Sequence, residues 1–225
     1  MRKIDLVIFD CDGVLIDSEM ISARMLVTEM VARGIDIDLE YVARHFLGRS
    51  YSVVLSTIRK EFGVDLPPSF ESDYRTRLLQ AFDRDLRIMP GVAAVLENLA
   101  RPFCLASSSS PIRVRRSLEI AGLTSAFEGR ITTAAEVAHG KPAPDLFLHA
   151  AEKMGATPDR TLVIEDSANG VVAARAAGME VWQFTGGAHF SGRPPASDPG
   201  ADRSFASFAE FFSLRPELRQ QDTGT

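Results

Sequence analysis

Two carboxylates one residue apart, Asp10 and Asp12, follow directly on an apolar run at residues 4–9, in the stretch Asp10-Cys11-Asp12-Gly13-Val14-Leu15. In extended backbone, residues two apart project to the same side, so both acids face one site. Adjacent carboxylates repel each other unless a cation or a proton intervenes. A hard divalent cation with oxygen ligands, Mg²⁺ above all, suits such a pair. Gly13 lets the chain turn sharply away. Taken alone, the stretch also reads as a capped turn with two solvated acids.

Three further stretches carry complementary chemistry. Ser107-Ser108-Ser109-Ser110-Pro111 closes a second apolar run. A hydroxyl and successive backbone N–H groups at a strand end, just before a helix, form a neutral phosphate cradle. Gly140-Lys141-Pro142-Ala143-Pro144-Asp145 holds a lysine in a loop stiffened by two prolines. Its ammonium can neutralise both a phosphate and a nearby carboxylate, and Pro144 or Asp145 starts the next helix. Val163-Ile164-Glu165-Asp166-Ser167-Ala168-Asn169-Gly170 ends a third apolar run with two acids. Asp166 is placed to complete a metal site, and Glu165 either ligates the ion or supports it from behind. Ser167 caps the helix that follows. Each stretch also has a plain reading as a loop or helix cap. Their joint occurrence in one chain gives them weight.

The elements that must position these residues follow from hydrophobic pattern. Residues 4–9, Phe103–Ser107, 162–164 and 181–184 read as strands buried on both faces, separated by amphipathic segments. Strand and helix in alternation imply a doubly wound parallel α/β sheet with right-handed crossovers. Ligands in such sheets bind outside the carboxyl ends of the strands. The stretch 17–86 breaks the rhythm: it holds no strand and four helical segments. These run from 18 to 33 before Gly34, from Asp38 to Gly48, from Ser50 to about Gly63, and onward from Pro67-Pro68. The expected organisation is a core of residues 1–16 and 87–225, with a helical cap at 17–86 that supplies substrate specificity. Helices that simply flank the sheet are the alternative. Residues 185–200, rich in Gly, Pro and Ser, read as surface loop.

Composition bounds the partners. A formal net charge of -5 over 225 residues argues against general nucleic-acid binding, which needs a basic face. No apolar run approaches the ~20 residues of a membrane-spanning helix. The run at 4–9 is too short for a signal peptide and leads straight into the acids. A cytoplasmic, monomeric protein that avoids membranes is the expectation. Cys11 and Cys104 read as small buried hydrophobes rather than a disulfide.

Together, D-x-D-G-V-L, the serine, K-P-x-P-D and E-D-S-x-x-G resemble, in order and over nearly the whole chain, the haloacid dehalogenase superfamily. The helical insert after the first strand is similar to its capped subgroup, which includes 6-phosphogluconate phosphatase-like proteins and β-phosphoglucomutases. The resemblance implies a Mg²⁺-dependent phosphatase acting on a small phosphorylated metabolite, a sugar phosphate or phosphosugar acid. It implies Asp10 as nucleophile forming an aspartyl-phosphate. Asp12 would be general acid and then base, with its backbone carbonyl on the metal. Asp10, Asp166 and Glu165 would complete the metal set, with Ser107 and Lys141 holding phosphoryl oxygens. Ser108 and Ser109 would line the substrate site, and Gly48 and Arg49 would reach it from the cap, with Arg44 and His45 nearby. A phosphosugar mutase is the alternative. Mutases of the subgroup carry a cap histidine at the position held here by Ser22, which favours hydrolysis.

Overall fold

A computed structural model describes residues 2–46, 51–191 and 200–221. In chain order its elements are β1 (Leu6–Phe9), α1 (Glu19–Val31), α2 (Leu39–His45), α3 (Tyr51–Phe62), α4 (Phe70–Asp85), α5 (Val92–Asn98), β2 (Phe103–Ser107), α6 (Pro111–Ala121), α7 (Thr124–Phe127), β3 (Ile131–Thr133), α8 (Asp145–Lys153), β4 (Thr161–Glu165), α9 (Ala168–Ala176), β5 (Glu180–Phe184), β6 (Arg203–Phe205) and α10 (Phe211–Leu214).

All six strands join one sheet in the order β3-β2-β1-β4-β5-β6, and every pairing is parallel. The doubly wound α/β class expected from the apolar runs is the one observed. β1 lies centrally, with Val7 in register with Phe103 on one side and Leu162 on the other. All four of its residues are buried, which is why its sequence is continuously apolar rather than alternating. Its side chains still divide by face. Val7 and Phe9 join the larger core, and Leu6 and Ile8 pack in a second core beneath α8 and α9.

The winding reverses at β1, since the chain proceeds outward through β2 and β3 and returns to β4 on the other side. A crevice opens at such a switch point, at the carboxyl ends of the strands. β1, β2 and β4 therefore deliver Asp10, Ser107 and Glu165-Asp166 to one rim.

Residues 17–86 hold four helices and no strand among the described residues. The chain leaves and re-enters the sheet region side by side: Asp17 N–H donates to Arg87 O (3.0 Å) and Met89 N–H to Leu15 O (2.8 Å). Asp38 caps α2 by accepting the Tyr41 N–H at 2.7 Å, and α1 and α3 stop before Gly34 and Gly63. Leu26, Met30, Val42, Ile58, Leu78 and Phe82 form the block's interior, continuous with the larger core.

Two elements differ from the sequence reading. β3 and β6 are three-residue edge strands, Ile-Thr-Thr and Arg-Ser-Phe. Neither offers a continuous apolar run: β6 leaves Arg203 and Ser204 exposed, β3 buries the polar Thr132 and Thr133, and each is held by its neighbour's ladder. The expected stop of α2 at Gly48 lies outside the described residues. Among those described, no helix is long and apolar enough to cross a membrane, and Cys11 and Cys104 are free and buried.

Candidate active site

The Asp10 N–H bonds Ile164 O at 2.9 Å, extending the β1–β4 ladder one residue past the strand. A tight turn then follows, closed by Leu15 N–H to Cys11 O (2.9 Å) and Gly13 N–H to Ile16 O (2.8 Å). Gly13 has φ +77°, and a Cβ there would lie 1.9 Å from Asp166 Oδ2. Only glycine meets both demands.

The turn presents Asp12 to three donors. Ser18 Oγ donates to Oδ1 at 2.6 Å, Ser109 Oγ to Oδ2 at 2.6 Å, and Arg113 Nη2 to Oδ1 at 2.7 Å. Burial pushes the Asp12 carboxyl up, but the Arg113 charge and the bonds from Ser109 and Ser18 outweigh it, and the group is held below its ordinary range.

Lys141 enters from the loop before α8 and is only 5% exposed. Its Nζ donates to Asp10 Oδ1 at 2.5 Å and Glu165 Oε1 at 2.7 Å, and it sits 4.6 Å from the centre of the Phe147 ring. Burial works against its charge, but Asp10 and Glu165 outweigh that and raise its pKa. The other oxygen of Glu165 accepts the Ser167 N–H at 2.6 Å. Gly170 makes room for this arrangement, since a Cβ there would fall 1.7 Å from Glu165 Oε1.

Ligand oxygens of Asp10, Glu165 and Asp166, all buried, lie within 4.8 Å of one another. Burial pushes the Asp10 carboxyl well up, with Lys141 opposing and Glu165, Asp166 and Asp12 adding to the rise. Asp166 is likewise raised by burial, then by Glu165 and Glu19. One ammonium thus faces three buried acids, leaving a deficit of positive charge. An all-oxygen donor set with that deficit fits a hard divalent cation.

Ser107 is buried at the end of β2, and its Oγ accepts the Ser109 N–H at 3.0 Å. Ser110 caps α6 and Ser167 caps α9. A cavity of about 990 Å³ opens between this rim and the helical block; Ser107, Ser108 and Ser109 line it from the sheet, and Glu19, Ser22 and Tyr74 from α1 and α4. The structure therefore brings together Asp10, Asp12, Ser107, Ser108, Ser109, Lys141, Glu165 and Asp166. Arg44 is instead exposed and paired with Glu40 (2.9 Å), and His45 stacks on Tyr41. Gly48 and Arg49 lie outside the described residues.

Ser18, which donates to Asp12, reads in the sequence only as a helix start, and two further side chains that touch the acids are absent from the sequence reading. Arg113 is one of many arginines, and only its place in the first turn of α6 hints that it points back to the rim. His189 falls in the stretch read as surface loop, yet its ring is 9% exposed and its Nε2 lies 3.2 Å from Asp166 Oδ2. No local pattern marks it.

A family model described as haloacid dehalogenase-like hydrolase matches residues 4–178. The chain is 31% identical over 190 residues to 6-phosphogluconate phosphatase of Escherichia coli (strain K12), covering 84% of this chain and 86% of that protein. It is 34% identical over 191 residues to a probable pseudouridine-5'-phosphatase of Drosophila melanogaster, covering 80% and 81%. Among solved structures, a conserved haloacid dehalogenase-like protein from Agrobacterium tumefaciens str. C58 superposes with a TM-score of 0.83 at 35% identity, over 96% of this chain and 99% of that one.

Proposed function

The chain belongs to the haloacid dehalogenase-like hydrolases, and from that premise we propose that it is a Mg²⁺-dependent phosphatase working through an aspartyl-phosphate on Asp10. It is a phosphoric monoester hydrolase of small phosphorylated metabolites, like the phosphatases it matches. The likeness to 6-phosphogluconate phosphatase supports a phosphosugar or phosphosugar acid as substrate.

In this reading Asp10 attacks phosphorus in line. Asp12, held ionised in the free protein by Arg113, Ser109 and Ser18, gains a proton as the anionic substrate binds and passes it to the leaving oxygen. Asp12 then takes a proton from the water that displaces Asp10. Ser107 and Lys141 hold the phosphoryl oxygens. Asp10, Asp166 and the Asp12 carbonyl would hold the ion. A bound divalent cation offsets charge between the carboxylate nucleophile and the phosphoryl group. Glu165, with both oxygens engaged by Lys141 and the Ser167 N–H, positions the lysine. Residues 17–86 act as a cap over the core of 1–16 and 87–225. What supports the reading most is the convergence of residues from three strand ends and one loop, with Lys141 Nζ 2.5 Å from Asp10 and 2.7 Å from Glu165.

A phosphate-release screen over phosphosugar acids, sugar phosphates and polyol phosphates tests it. Turnover should require Mg²⁺, vanish with EDTA and vanish in Asp10→Asn. Full activity in Asp10→Asn would sink it. The mutase alternative draws no support from Ser22, whose Oγ accepts from Arg113 at 3.3 Å. Glucose 1-phosphates should yield free phosphate, if they react, rather than an isomer.

A further inference from the structure

Arg113 stands in the first turn of α6, on the sheet side of the cavity, and its guanidinium meets three partners at once. Nη2 donates to Asp12 Oδ1 at 2.7 Å and to Ser22 Oγ on α1 at 3.3 Å. The same guanidinium lies 5.1 Å from the centre of the Phe82 ring on α4. Catalytic turn and helical block are thus joined through one side chain.

The three donors to Asp12 are not equivalent. Ser18 and Ser109 offer hydroxyls, whose hydrogens rotate to suit whatever they meet. Arginine offers a planar fork of fixed geometry, and an aromatic ring beside it further restricts its movement. Arg113 is therefore the rigid element that sets which way the Asp12 carboxylate faces.

We infer that Arg113 is a positioning residue for Asp12, needed chiefly in the hydrolytic half of the reaction. The inference rests on the phosphatase reading above. In that half the water oxygen bonds to phosphorus and one water proton passes to Asp12. The bond between Asp10 and phosphorus breaks, and its electron pair returns to the Asp10 oxygen. A substrate ester is oriented by its whole body in the cavity. A single water has no such anchor, so its alignment depends on the carboxylate that receives its proton. A displacement of about 1 Å in such a group costs on the order of 10²-fold in rate.

The test uses the full chain with Mg²⁺ and p-nitrophenyl phosphate, in wild type, Arg113→Met and Arg113→Lys. Slow dephosphorylation lowers kcat and KM together. Arg113→Met should therefore lose about 10- to 100-fold in kcat while kcat/KM stays within about threefold. It should also release a burst of p-nitrophenol approaching one equivalent per enzyme. Arg113→Lys should recover part of kcat, and measuring the burst counts only folded enzyme. Equal losses in kcat and kcat/KM without a burst would assign Arg113 to binding or folding and overturn the inference, as would an unchanged kcat. Should wild type need no Mg²⁺, or Asp10→Asn stay active, the phosphatase reading fails and takes this inference with it. Normal wild-type and Asp10→Asn behaviour beside an indifferent Arg113→Met sinks the inference alone.

Discussion

Replacing Lys141 with Met keeps a side chain of similar length and removes the cation bridging Asp10 and Glu165. The side chains concerned are 5% exposed for Lys141, 8% for Asp10 and 1% for Glu165, so water cannot take over the lost neutralisation. Removing one partner of a buried pair costs about 3–5 kcal/mol. For a chain of this size, each kcal/mol lowers Tm by about 2–4 °C, so Lys141→Met should melt about 6–20 °C below wild type. The assay is a thermal melt by circular dichroism at pH 7.5 in EDTA. Two conditions should narrow the gap. Acidification towards pH 5 protonates the stranded acids, and saturating Mg²⁺ supplies positive charge in place of the ammonium. A variant melting within about 2 °C of wild type would refute the reasoning, since roughly 1 kcal/mol is too little for a buried triad stripped of its cation. A gap unchanged by pH and Mg²⁺ would locate the loss in packing against Phe147 instead.

Wild type should show the same electrostatics in weaker form. Asp10 and Asp166 have raised pKa values, so above about pH 4 and up to those values the folded chain binds more protons than the unfolded one, and stability falls as pH rises. Metal-free protein should therefore lose Tm on going from mildly acidic to neutral pH, and Mg²⁺ at about 100 Kd should restore about 2.7 kcal/mol at neutral pH. A flat Tm profile in EDTA would contradict this. Gly170→Ala drives a methyl into Glu165, which should cost about 1–3 kcal/mol in a melt and, by displacing Lys141, about 10²-fold in kcat. Ser107→Ala strips the Ser109 N–H of its acceptor and should cost about 1–3 kcal/mol in a melt, while lowering kcat by about 10²–10³-fold, as for loss of one preorganised donor. Arg215 is a control far from the rim: its side chain is 1% exposed and pairs with Glu180 at the start of β5 (2.5 Å) and with Glu217 (2.9 Å). Arg215→Met should cost about 3 kcal/mol in stability and leave kcat unchanged at temperatures where it stays folded.

Much of the fold and of the candidate site was legible in the amino-acid order because the signals are local. A central strand buried on both faces must be continuously apolar, so the runs read at residues 4–9, 103–107 and 162–164 fall on the strands observed at Leu6–Phe9, Phe103–Ser107 and Thr161–Glu165. The residue after such a strand lies at the rim, which placed Asp10 and Asp166. Period two put Asp12 beside Asp10, and Asp38, Ser110 and Ser167 cap helices through bonds spanning three residues.

Closure of the chain decided the rest. Glu165 read as a metal ligand or its support; the fold engages one of its oxygens with Lys141, 24 residues away, and the other with the Ser167 N–H. Arg113 reaches Asp12 across 101 residues, and His189 reaches Asp166 from a stretch whose composition says only loop. β3 and β6 are held by ladders to β2 and β5; the β-branched Ile-Thr-Thr of β3 favours a strand, but three residues are too few to mark one in the sequence. Local propensity acts over a few residues, whereas ion pairs and edge ladders depend on which distant segments the packed core brings together. Types and spacing therefore determined which groups stand at the rim, and only the tertiary structure decided which donor holds which acid.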